Sequence, residues 1–403
     1  MHVMITAVGA RTEHWMDLFA VLAAQPDLTV TVVVADVSAT ARQELAAIEE
    51  RTGLRYHVLA HRWSEGRTGH MASVLFDRDG LRSVAERDRP DVLHLIGESS
   101  YLSTWQMLRL RRRWWPRVPV TLYAAQNVVM RLPVPFPLLE RHAYRSVDHA
   151  LPITPAALAV LRAKGYHGPA TIVPLGVDTA RFAPAPVRAA RSRPFTAGFV
   201  GRLEPHKGIR DLLCAGELLD CDLLLVGDGS LRPEVERAAA RRPGRVTLRD
   251  WADHATLPGL IGRMDALVLP SVELVQRNVL PWVGIPLREQ FGRVLVEAMA
   301  CEVPVVGSEV GEIPYVIGPA GLTYPAGNAT ALVDRLAQLR DDPELARKFA
   351  ALGRERAVGE FGWDRIAQTL CRIWSAEHDR ARFRRRTDGV LAGSGGATTT
   401  GRS

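Results

Sequence analysis

The chain has 403 residues, of which 47% are hydrophobic and 24% charged, with a formal charge of +7. These are the proportions of a globular protein long enough for two or three domains, and they exclude a mostly disordered chain, a collagen and a coiled coil. No apolar run reaches the roughly 18 to 20 residues of a membrane span. The opening residues, MHVMITAVGARTEHW, show no basic stretch followed by an apolar one, so a cytoplasmic location is expected. Four cysteines at 214, 221, 301 and 371 make no Cys-x-x-Cys pair and sit beside no histidine at ligand spacing; they read as small buried hydrophobes, with no metal site. The basic excess is almost all arginine. The lysines are Lys164, Lys207 and Lys348, so a lysine inside a motif carries information.

In chain order, HVMITA at 2–7 predicts a strand, followed by a loop (VGARTEH), a helix-period segment (WMDLFAVLAAQ) and a second apolar run, LTVTVVVAD. Strand, turn, helix, strand is the start of a parallel α/β sheet. DVLHLIG at 91–97 and VPVTLYA at 118–124 predict further strands. ALPITPAALAVLRAKG at 150–165 predicts a short strand and then a helix, with Pro155 near its start and Gly165 as its stop. TIVPLGVD at 171–178 predicts the strand that ends this half. TARFAPAPVRAARSRP at 179–194 is rich in Pro, Ala and Arg and reads as a linker.

The alternation then restarts. FTAGFVG, CDLLLVGDG, RVTLRDW, DALVLPS, VPVVGS and GLTYPAG predict strands, with helices near 208–219, 231–242 and 292–301 between them. ATALVDRLAQLRDD, PELARKFAALGRERAVGE and DRIAQTLCRIWSAEHDRARF predict three closing helices. The tail from Arg384 is low in complexity and is expected to be disordered. Two consecutive doubly wound units follow, with ligands expected at the carboxyl ends of the strands and in the cleft between units.

Three stretches carry chemistry. In GFVGRLEPHKGIRDLL (198–213) a strand ends at Gly201, and Arg202 and Lys207 follow before a helix. Two cations there suit a diphosphate, Arg as a planar fork and Lys as a point charge; a solvated basic loop would look the same. In LLLVGDGSLRPEVE (223–236), Gly227-Asp228-Gly229 lets a ligand approach backbone at a helix start; a tight turn explains it equally well. In REQFGRVLVEAMACEVPVVGS (288–308), the apolar positions 291, 294, 295, 298 and 299 predict a helix starting near Gly292. Glu289 then lies in the loop before it, and Glu297 in its second turn off the apolar stripe. Carboxylates can accept from two hydroxyls at once, as sugar recognition requires. Alone, Glu297 could be an exposed partner of Arg293, and Glu289 a helix-start acid.

These pieces, with GVDTARF (176–182), ALVLPS (266–271) and GEIPYVIGPAGLTYPAGN (311–328), occur in an order that resembles the GT-B-fold retaining glycosyltransferases called "glycosyl transferases group 1" (family 4). The resemblance covers about half the chain. It implies two Rossmann-like doubly wound domains facing across a cleft: residues 1–180 on the acceptor side and 181–362 on the nucleotide-sugar side. A helix at 363–383 would cross back to the first domain, and 384–403 would be a tail. It implies that Arg202 and Lys207 bind the donor diphosphate, and that Glu289 holds hydroxyls of the transferred sugar together with Phe291 and Gly292. Glu297 would bind the ribose, Arg249 and Trp251 would flank the base, Gly227 and Asp228 would lie on the donor, and Gly9 would approach the phosphates from across the cleft. The donor would be a UDP-, GDP- or ADP-sugar and the acceptor a hydroxyl of a saccharide, lipid-linked sugar or small natural product, with no cofactor, no metal and no nucleic acid.

The chain departs from the family pattern in places. Tyr123 stands about where the family often has a histidine, so Tyr123, Gln126 and Asn127 are the candidates for polar contact on the acceptor side. His94 reads as a core histidine. The longer segment at 271–289 is expected to form a cleft-side loop. Asp77-Arg78-Asp79 reads as a turn before a helix. RLRRRWWPRVP at 109–119 fits either a helix end with packed tryptophans or a contact with an anionic membrane face. A nucleotide-sugar epimerase or hydrolase on the same scaffold, and a non-catalytic partner subunit, are the rival functions.

Overall fold

The computed structural model describes residues 1–64, 71–130, 133–184, 194–276 and 284–394. The first unit is a six-stranded parallel sheet of β1 (His2–Val8), β2 (Thr29–Ala35), β3 (Arg55–Leu59), β4 (Val92–Leu95), β5 (Val120–Ala124) and β6 (His149–Pro152), in the order β3-β2-β1-β4-β5-β6. The second repeats the order with β7 (Thr196–Val200), β8 (Asp222–Val226), β9 (Val246–Arg249), β10 (Ala266–Leu269), and, after a short hairpin of β11 (Leu274–Gln276) and β12 (Ile285–Leu287), β13 (Val305–Ser308) and β14 (Gly321–Tyr324). Its order is β9-β8-β7-β10-β13-β14. Helices cover both faces of each sheet, so the strands are near-continuous apolar runs: β2 from Val30 to Ala35 and β10 throughout are buried. The strand order reverses between β1 and β4 and again between β7 and β10, where a doubly wound sheet opens a crevice.

Local chemistry fixes the helix ends. The Thr154 hydroxyl accepts from Ala157 N at 3.2 Å and Pro155 takes the first turn, while Gly165 adopts φ +93° after the last one. Asp77 caps the helix Arg78–Arg87, accepting from Asp79 N and Gly80 N at 3.0 Å, which uses the acid of the DRDG turn for a helix start. Of the cysteines, Cys221 and Cys301 are buried and Cys371 half-buried. Cys214 is exposed, because Ile209, Leu212 and Ala215 set the inward face of its helix.

Residues 171–178 do not join the sheet as a strand. Prolines 169 and 174 flank or interrupt the run, and its backbone instead pairs singly: Thr171 N with Ala150 O at 3.1 Å, Val173 N with Pro152 O at 2.9 Å, Val177 N with Phe361 O at 2.9 Å. Trp363 N donates to Val177 O at 3.1 Å, and a Cβ on Gly176 would fall 2.3 Å from the Trp363 ring. The crossing between units is thus clamped to the junction of the helices Pro343–Phe361 and Trp363–Ser394. Residues 185–193 of the linker and the 277–283 part of the cleft-side segment lie outside the described residues.

The last helix packs on the first unit. Trp363, Ile366, Ala367, Leu370 and Trp374 form a buried stripe against Val3, Ile5, Trp15 and Phe19. It runs to Ser394, past the expected end at 383; RRRTDGVLA contains one glycine and no proline, so nothing local stops it. Residues 395–403 lie outside the described residues. Trp374 Nε1 donates to Thr121 Oγ1 at 3.2 Å, which leaves the Thr121 proton for His94 Nδ1 at 2.9 Å. His94 is therefore a neutral core imidazole, and burial pushes its pKa down to about 3.

An unfolded imidazole titrates near ~6.5, so below that value the unfolded chain binds a proton that the folded one refuses. The contribution of His94 to stability is present above the unfolded value and is lost as pH falls. Replacing it, His94→Gln, should flatten the acid side of the stability–pH curve; denaturant titrations at neutral and mildly acid pH check this, and an unaltered slope would contradict it.

Candidate active site

The carboxyl ends of the two sheets face one another across a cavity of about 460 Å³. Thr12, Trp15, Glu98 and Tyr123 line it from the first unit; Arg202, Trp251, His254, Glu289, Phe291, Gly292 and Glu297 line it from the second.

The loop after β7 is shaped by close backbone approaches. Gly201 N bonds Val226 O and Gly227 N bonds Arg249 O, at 3.0 and 2.9 Å. A Cβ on Gly227 would lie 2.0 Å from Gly201 O, and one on Gly208 1.8 Å from Pro270 O. Both have positive φ, +139° and +67°. The second approach sets Lys207 against the end of β10. Its Nζ reaches Glu289 Oε2 at 2.5 Å, and the Ser271 hydroxyl donates to the same oxygen at 3.0 Å. Lys207 and Glu289 keep 17% and 13% of their side-chain surface, so the pair is held with little water around it.

Glu289 is also fixed through its backbone. Its carbonyl accepts from Asn127 Nδ2 of the first unit at 2.9 Å and from Glu312 N at 3.1 Å. Gly311, at φ +58°, allows this, since a Cβ there would sit 2.0 Å from that carbonyl oxygen. Gly292 at φ +80° then starts the helix Arg293–Ala300, and Phe291 is buried edge-on against Phe361, with ring centroids 5.7 Å apart.

Glu297 accepts from Arg293 Nε at 3.1 Å. The pair is sequestered, with 7% and 16% of side-chain surface left, so the alternative of an exposed surface pair does not hold. The same guanidinium donates to His14 O of the first unit at 3.3 Å and lies 3.4 Å from His254 Nε2. Burial, then the Arg293 charge, holds the His254 pKa below its ordinary value; burial, then Lys207 and Arg202, does the same at His206. Both imidazoles are neutral at pH 7, and the fixed positive charge comes from Arg202, Lys207 and Arg293.

Other expected site residues fall as follows. Arg202 is exposed and Trp251 57% exposed, both on the cavity wall, whereas Arg249 is exposed at the end of β9 and off the wall. Asp228 is exposed; its carboxylate accepts from Gly229 N at 2.8 Å and its carbonyl from Leu203 N at 2.8 Å, so with Gly227 it shapes the loop. Gly9, at φ +75°, turns the chain from β1 into the 3₁₀ turn Ala10–Trp15, which delivers Thr12 and Trp15 to the cavity. Tyr123 is on the wall, edge-on to Trp15 at 4.9 Å. Gln126 is not on the wall: Lys164 Nζ, paired with buried Glu140 at 2.5 Å, donates to it at 2.7 Å.

Sequence reasoning missed Ser271, although ALVLPS contains it, and gave Arg293 no site role. It also missed Thr12, a residue of the cavity wall whose buried Oγ1 has no hydrogen-bond partner among the described residues. No local signal marks that threonine.

Residues 194–342 match the family described as "Glycosyl transferases group 1". Over 340 residues the chain is 28% identical to the alpha-maltose-1-phosphate synthase of Mycobacterium tuberculosis, covering 79% of this chain and 78% of that one. Among solved structures, Anabaena HepE in complex with UDP superimposes with a TM-score of 0.71 at 17% identity, covering 93% of this chain and 99% of that one. Sucrose-phosphate synthase from Thermosynechococcus elongatus does so at 0.69 and 20%, covering 93% and 98%. At such identities the two structures establish the fold, two Rossmann-like units facing across a cleft in the GT-B arrangement, and the second unit is similar to the group 1 glycosyltransferases over residues 194–342.

Proposed function

We propose that this protein moves a sugar from a nucleoside-diphosphate donor to an acceptor hydroxyl with retention of anomeric configuration. The observation that carries the proposal is Glu289 on the cavity wall, held from behind by Lys207 and Ser271, with Arg202 on the same wall. A diphosphate leaving group develops charge as the glycosidic bond breaks, and fixed cations at low water content stabilise that charge without reorganising. Lys207, held with little water around it, supplies one, the exposed Arg202 adds a second charge at the wall, and the neutral His206 adds a donor with no third charge.

Glu289 is occupied by an ammonium and a hydroxyl on one oxygen, which makes it a poor nucleophile and a good acceptor for sugar hydroxyls through the other. The acceptor proton then goes to the departing phosphate. Glu297, oriented by Arg293, takes the ribose hydroxyls. Thr12 and Tyr123 face the sugar or acceptor from the first unit. The donor class also agrees with the UDP bound by Anabaena HepE. The preferred base among UDP, GDP and ADP is a matter for a thermal-shift screen of the corresponding sugars, one of which should raise the melting temperature.

Lys207→Ala should lower kcat by roughly 100- to 1,000-fold and lower the melting temperature by much less than unfolding requires, since Glu289 loses one partner but keeps Ser271 and its place on the cavity wall. Equal loss of kcat and of folded protein would remove Lys207 from the chemistry. Glu297→Gln should raise the donor KM several-fold and change kcat less. The anomeric proton coupling of the first-formed product, followed by NMR from a donor of known anomer, should match that of the donor. An inverted product would overturn the retaining mechanism, and an isomerised sugar with no acceptor present would favour an epimerase.

A further inference from the structure

Between Tyr101 and Val147 the sequence holds eight arginines and one acid, Glu140, so this stretch alone accounts for a charge equal to the +7 of the whole chain. The acid is turned inward, paired with Lys164 at 2.5 Å. The helices Leu102–Trp114 and Phe136–Ser146 pack against each other. They leave Arg109, Arg112, Arg113, Arg141 and Arg145 exposed. Among the described residues no carboxylate pairs with any of the five. His142 is half-buried on the second helix, and after burial the nearby Arg112, Arg109 and Arg145 are what hold its pKa down, so arginines of both helices lie close to it.

Apolar side chains accompany the charge. Val129, Val134 and Leu138 are 53%, 77% and 57% exposed. Arg109 lies over the Trp105 ring at 5.0 Å, and Arg113 is 6.0 Å from that of Trp114. Trp115 is buried beneath, as the packed-tryptophan reading of this segment expects. An open groove of about 560 Å³ beside the second helix is lined by Val129, Pro137, Arg141 and Arg145, with the paired Glu140 and Lys164 also on its wall.

We infer that this face docks the protein on an anionic lipid bilayer, the arginines meeting lipid phosphates and Val129, Val134 and Leu138 entering the headgroup boundary. Exposed aliphatic side chains set among unpaired arginines fit a surface that is anionic outside and apolar just beneath. A soluble polyanion would use the charge and leave the aliphatic residues in water. The loop carrying Val129 starts at Asn127, which touches Glu289, so the bilayer would lie near the first-unit edge of the cleft. The inference concerns where the protein sits and stands whether or not the donor assignment does.

The test is co-sedimentation of the full chain with phosphatidylcholine vesicles, with and without phosphatidylglycerol. Binding should need phosphatidylglycerol and fade at high salt. Each arginine should contribute about fivefold to partitioning, so an Arg112→Ala, Arg113→Ala, Arg141→Ala, Arg145→Ala variant should bind at least ~100-fold less. A Val134→Ser, Leu138→Ser variant should weaken binding with all charges intact. Melting curves establish that both variants fold. No binding to phosphatidylglycerol vesicles, binding indifferent to either variant, or binding to heparin but not to vesicles would each overturn the inference.

Discussion

Glu289 is held at both ends, and the arrangement of the cleft follows from that. Its carbonyl is bonded by Asn127 from one unit and by the Glu312 amide from the other, and its carboxylate by Lys207 and Ser271. Taking a carboxylate and an ammonium largely out of water costs several kcal/mol per ion, and here the extra hydroxyl and the 2.5 Å separation offset it. The sequence commits glycines to the purpose: residues 208 and 311 sit where a side chain would strike backbone of the neighbouring strand end or of Glu289 itself. A pair so placed, at the edge of a cavity, can exchange one partner for a ligand without rebuilding the loops around it.

The rest of the fold supports that position. Two sheets of the same strand order point their switch points at each other, so the loops after β1 and β4 meet the loops after β7 and β10. The units are also tied behind the cleft. Arg354 donates to the carbonyls of Phe182, Ala300 and Thr179, Trp363 covers Gly176, and the final helix buries Trp374 beside His94. Arg293 adds a contact at the front, joining Glu297 of the second unit to the His14 carbonyl of the first. Relative movement of the units would therefore be read at Arg293 and Asn127 before it was felt in either core.

Much of this was legible in the residues. Unbroken apolar runs such as TVVVA and LLLV can be buried only on both faces, hence a parallel sheet with helices on either side. Pro155 and Gly165 mark a helix at both ends. Lys207 stands out because the chain almost never uses lysine, and the spacing of Glu289 and Glu297 across a helix start placed both near one cavity. What was not legible depends on partners distant in sequence. The apolar stretch 171–178 looks like a strand, but its hydrogen bonds go to a helix junction at 361–363. Gln126 looked available, but Lys164 takes it. Glu297 and Arg293 have the spacing of an ordinary surface pair, and only the approach of His14 and His254 buries them. Thr12 carries no pattern at all.

The most direct check of the central claim is a crystal structure of the protein with UDP, GDP or ADP, whichever gives the larger thermal shift. The bound diphosphate should lie within hydrogen-bond distance of both Arg202 and Lys207, with the ribose against Glu297. A nucleotide bound elsewhere, or one whose phosphates leave the Lys207–Glu289 pair untouched, would contradict it.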